Sequence, residues 1–66
     1  MTDSDIFWTL RTALQYGGGF YHALAAAAVK ADPSNKQRIL NAFPELYATY
    51  GPASKLHRQL RGGALV

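Results

Sequence analysis

The chain contains no cysteine, which removes disulfides and thiolate zinc sites and fits a reducing cytoplasm. Acidic residues are scarce: four Asp and Glu stand against seven Lys and Arg, giving a net charge of +3 and a pI near 9.6. Such an excess permits contact with nucleic acid or an acidic partner without requiring it. No apolar stretch is long. The longest uninterrupted one, Ala23 to Val29, is far short of the roughly 20 residues that span a bilayer. The opening MTDSD is acidic where a secretory signal would be basic. Neither a membrane span nor a signal is expected.

Groups for chemistry are also few. His22 and His57 are far apart in sequence with no carboxylate beside either, so neither a metal site nor an acid–base pair is expected. Ser4, Ser34 and Ser54 all fall at predicted helix starts, where capping accounts for them. Asp3, Asp5, Asp32 and Glu45 fall in predicted first turns, where they complement the helix dipole. The expectation is a non-enzymatic protein with no catalytic residue, metal or cofactor.

What is present is helical periodicity. Thr2 or Ser4 can cap a helix over about Ser4 to Gln15, with Ile6, Leu10, Ala13 and Leu14 on one face and Phe7 widening the stripe. Gly17 is then expected to take the left-handed conformation that ends it. A second helix, about Gly19 to Ala31, repeats Phe20, Leu24, Ala27, Ala28 and Ala31, and its alanines leave room for a neighbouring axis. Asp32 and Pro33 open a third, Pro33 to Phe43. Pro44 forces a restart, PELYATY, ended by Gly51. Pro52 opens a last basic helix, PASKLHRQLR, before GGALV frays as a flexible tail over 62–66. The fold class is all-α: one domain over 1–66, a compact bundle of three main helices plus a short helix after Pro44. The expected core is Ile6, Leu10, Leu14, Phe20, Leu24, Ala27, Ile39, Leu40, Phe43 and Leu46.

Three surfaces compete for function. The stretch YGGGFYH sets Gly17, Gly18 and Gly19 before Tyr21 and His22. Amides at a helix N-terminus can hold an anion, but no Lys-Ser or Lys-Thr follows and no strand precedes, so a tight interhelical turn is the adopted reading and a small anionic or nucleotide ligand the alternative. Lys55, Arg58 and Arg61 share one side of the last helix, and Asn35, Lys36, Gln37 and Arg38 open the third in a sequence that can be forced into a helix-turn-helix. These could contact nucleic acid, although such a run is ordinarily a solvated face. Finally, Phe7, Trp8, Phe20, Tyr21, Phe43, Tyr47 and Tyr50 exceed what so small a core hides. Trp8, Tyr21, Tyr47 and Tyr50 are the candidates for meeting a partner protein. A chain of 66 residues buries only about 60% of its unfolded surface, so self-association into a homo-oligomer is expected to add stability.

The stretch FYHALAAAAVKADPSNKQRILNAFPELY, most specifically KADPSN and AFPELY, resembles a pattern in small bacteriophage proteins that carry no established activity. The resemblance covers about half the chain and transfers no functional residue. It implies a phage gene product acting in the bacterial host cytoplasm by binding a host protein complex or defence component, or a signalling molecule as cyclic-nucleotide sponges do.

Overall fold

Thr2 Oγ1 accepts the Asp5 N–H at 3.0 Å while Asp5 Oδ2 accepts the Thr2 N–H at 3.3 Å, a complete capping box. From this cap α1 runs Asp3–Tyr16. The computed structural model describes the backbone of residues 2–65 and the side chains of residues 2–63. Among the described residues four further helices follow, α2 Gly18–Lys30, α3 Pro33–Ala42, α4 Glu45–Tyr50 and α5 Lys55–Leu65, with no strand. The chain is all-α. Its radius of gyration, 10.8 Å, matches the roughly 11 Å of a globule of this length.

Helix α1 is the hub: α2, α4 and α5 pack on it, while α3 packs on α2. Small residues bring α1 and α2 together, since Ala13, Ala25 and Ala28 are all fully buried at their contact. Leu10, Leu40, Leu46 and Tyr50 complete the core, with Ile6, Leu14, Tyr21, Leu24, Ile39, Phe43, Tyr47 and Leu56 packed around it. A second buried face of α1 consists of Thr9 and Thr12. Each hydroxyl donates to the carbonyl four residues back, Thr9 to Asp5 and Thr12 to Trp8, both at 2.6 Å. With its donor satisfied inside the helix, a threonine presents a methyl to its neighbours and packs as a small apolar residue.

Several expectations need correcting. Gly17 has an ordinary right-handed backbone (φ −79°), and the left-handed residue is Gly18 (φ 68°). Gly17 is small for another reason: a Cβ there would lie 2.8 Å from the Cβ of Tyr21, where the first turn of α2 folds back on the end of α1. Phe20 is 59% exposed and Ala27 is exposed, because α2 turns Tyr21, Ala25 and Ala28 inward in place of Phe20 and Ala27, while Leu24 packs against the core as expected. Phe20 still meets Tyr21 and Phe43 edge-on, with centroids 5.0 and 5.8 Å apart. The last helix starts at Lys55, after a turn in which the Ser54 N–H bonds the Gly51 carbonyl at 2.8 Å. It continues through Gly62 and Gly63 to Leu65, past the expected end at Arg61; residue 66 lies outside the described residues.

An ion pair joins the ends of the chain. Arg61 donates to Asp5 Oδ1 at 3.0 Å and to Ser4 Oγ at 3.0 Å, fastening α5 to the first turn of α1. The Arg61 hydrogen bond, followed by the bond from the Thr2 backbone, holds the Asp5 carboxyl below its usual range. A carboxyl whose pKa is lowered on folding contributes stability above its unfolded value of about 3.9, and that contribution is lost as pH falls through the lowered folded value. The melting temperature is therefore expected to drop as the pH is taken below about 4, with a smaller drop in Asp5→Asn. Identical profiles for the two proteins in thermal melts followed by circular dichroism would show that the pair contributes nothing.

Candidate functional site

The break between α2 and α3 creates the most distinctive surface. Ala31 ends α2 in an extended conformation (ψ 152°), Asp32 is also extended, and Pro33 starts α3 in a new direction. Because α3 then packs on α2, the side of α1 that carries Phe7 is left facing an open cleft. The result is a groove of about 620 Å³. Its α1 wall carries Ile6, Phe7, Leu10 and Leu14, and its opposite wall carries Val29 and Pro33. Asp3, Arg11, Lys36 and Gln37 form the polar edge.

The apolar character of the groove is accessible to a ligand. Phe7 is 53% exposed and Val29 49%, whereas Leu10 at the base is buried. The Arg11 guanidinium carbon stands 5.7 Å from the centroid of the Phe7 ring, within the range of a cation–π contact. Trp8 meets the same ring edge-on at 5.2 Å and is half-buried. The ionisable groups that line the groove are Asp3, Arg11 and Lys36. What the groove can do is shelter apolar side chains between charges of both signs.

Both histidines serve helix ends. His22 Nδ1–H donates to the Leu14 carbonyl at 2.8 Å, and His57 Nδ1–H donates to the Tyr50 carbonyl at 2.9 Å. Each satisfies a carbonyl in the last turn of a helix that has no basic residue there. His57 is only 1% exposed, and its Nε2, the Tyr47 hydroxyl and Glu45 Oε1 are buried without a hydrogen-bond partner. These atoms belong to α4 and α5 and do not line the groove. Burial, and then the negative charge of Asp5, raises the Tyr47 pKa.

The sequence candidates are scattered. Tyr50 is in the core, and Tyr21 and Tyr47 are packed against it, with Tyr21 and Tyr50 ring centroids 6.1 Å apart. Among the described residues the exposed large hydrophobic side chains are Phe7, Tyr16, Phe20 and Val29. The five cations are divided between α3 and α5. Arg61 is engaged by Asp5 and Ser4, Arg38 donates to Asn35 at 3.3 Å, Lys36 edges the groove, and Lys55 and Arg58 are exposed on α5. At the glycine corner, Gly18 and Gly19 open α2 with no side-chain cap, and His22 is turned to Leu14. Sequence reasoning overlooked the groove because Ile6, Leu10 and Leu14 do belong to the core or pack on it, and nothing in their spacing shows that they also border an open cleft. The available signal was Phe7 beside that stripe, with Asp3 and Arg11 four residues away on either side.

No protein-family model, curated protein or solved structure matches the chain.

Proposed function

We propose that this chain is a small non-enzymatic binding protein that docks another protein through the groove between α1 and the α2–α3 junction. The observation that carries the reading is the exposure of Phe7 and Val29 on facing walls above a base that includes Leu10. Contiguous apolar surface rimmed by polar residues marks interaction sites, and an apolar groove beside a helix is a common receptor for an amphipathic helical segment. In the setting that the bacteriophage resemblance suggests, the target is a bacterial host protein or defence component in the cytoplasm.

Affinity capture from bacterial lysate tests the reading. Phe7→Glu places a charge on an already exposed position, so it is expected to keep the fold and lose the captured protein, whereas Lys55→Glu with Arg58→Glu retains it. The opposite pattern, with capture lost on α5 and abolished by nuclease or salt, would assign function to nucleic acid and overturn the groove.

A further inference from the structure

The charges along the groove have a symmetry that names an occupant. Asp3, Phe7 and Arg11 are spaced four residues apart on α1 and all line the groove. Residues at this spacing share a helix face. Reversing the helix about Phe7 exchanges the places of Asp3 and Arg11. An α1 laid antiparallel on another α1, crossing at Phe7, therefore sets each Asp3 against an Arg11 and stacks the two Phe7 rings. Among the described residues neither Asp3 nor Arg11 has an ion-pair partner within its own chain, and both are exposed.

We propose that a second copy of this chain occupies the groove in the free protein, pairing α1 to α1 antiparallel about a two-fold axis at Phe7. The inference rests on the groove being a docking face, and it adds that the face is complementary to itself. A two-fold interface uses the same patch twice, so every favourable contact is made twice. The facing wall, Val29 and Pro33, then covers the side of the incoming helix. A standard interface of about 800 Å² per partner would take roughly a fifth of the 4188 Å² surface. That share is larger than the groove itself, so the surface flanking it on α1 and α3 must be covered as well. A target protein must displace the second copy, so self-pairing and target capture compete.

The test is sedimentation of the purified full chain over about a hundredfold range of concentration, a span that brackets a midpoint and resolves the two-state mass change. The wild type is expected to move from the mass of one chain to that of two. Asp3→Arg alone gives like charges across the seam and is expected to stay single, as is Arg11→Asp alone. Mixed together, the two variants regain opposite charges at both ends and are expected to form the double-mass species. Both substitutions are at exposed positions; if either disturbs the helical circular dichroism spectrum, Phe7→Glu decides, with loss of the double mass supporting the pairing and its retention overturning it. A wild type that remains single at every concentration overturns self-pairing while leaving capture of a target through the groove intact. A wild type that doubles equally in all variants overturns this interface in favour of another surface. If groove variants also capture a host protein normally, the docking reading itself fails, and that failure is distinct from either of the others.

Discussion

Leu46→Ala is expected to remove most of the stability of the fold. Leu46 comes from the shortest helix, yet its side chain is 0% exposed and sits in the cluster with Leu10 and Tyr50. A domain of 66 residues has a total stability of about 3–10 kcal/mol, and truncating a buried leucine costs about 2–5 kcal/mol through lost transfer energy and the cavity left behind. The loss is a large share of the total. Phe20→Ala, at a position 59% exposed, forfeits chiefly its edge contacts with Tyr21 and Phe43, about 1 kcal/mol. Urea unfolding of both variants checks the order. If Phe20→Ala proved the more damaging, α2 would have to present its other face to the core.

The three consecutive glycines provide the second large effect, because each has a different environment. Gly17→Ala is expected to destabilise by about 1–3 kcal/mol, since the added carbon would collide with the Ala13 carbonyl oxygen and stand 2.8 Å from the Tyr21 Cβ, so the backbone of the corner would have to shift. Gly18→Ala is expected to cost about 1–2 kcal/mol for its left-handed backbone, although space around it is open. Gly19→Ala is expected to be neutral or to stabilise by up to about 1 kcal/mol, as it is helical with nothing near its missing Cβ. Equal effects at all three positions, measured by the same denaturant titration, would contradict the account of a close-packed corner.

Much of this architecture is legible in the residues themselves. The Thr2–Asp5 pair announces the first helix, Pro33 and Pro44 mark restarts, and the alanines foretell the close approach of α1 and α2. The register of α2 is not legible, for a physical reason: ALAAAAV is apolar on every side, so periodicity cannot choose between the Phe20 and Tyr21 faces. Thr9 and Thr12 count as polar in any pattern, and only the folded helix shows their hydroxyls spent on its own carbonyls. The start of α5 at Lys55 depends on a turn closed by Ser54 and Gly51, where Pro52 alone suggested an earlier start. The groove was hidden by the same limitation. A stripe of Ile6, Leu10 and Leu14 identifies an apolar face, while whether another helix covers it depends on where α3 goes after Asp32.

The exposed aromatics follow from that geometry. Tyr21, Tyr47 and Tyr50 are drawn inward by the packing of α4 and α2 around α1, leaving Phe7, Tyr16 and Phe20 outside. Of these, Phe7 lines the groove. Placement beside Val29 and between Asp3 and Arg11 distinguishes it from a scattered surface hydrophobe.

The most direct measurement is a backbone amide NMR map of the labelled chain, recorded dilute and then with a saturating amount of unlabelled chain or of a captured target. The account predicts shifts concentrated at Asp3 to Leu14 and Val29 to Gln37, the two walls of the groove. Shifts confined to Lys55 through Arg61, or to Gly17 through His22, would contradict it and move the binding face to the basic helix or to the glycine corner.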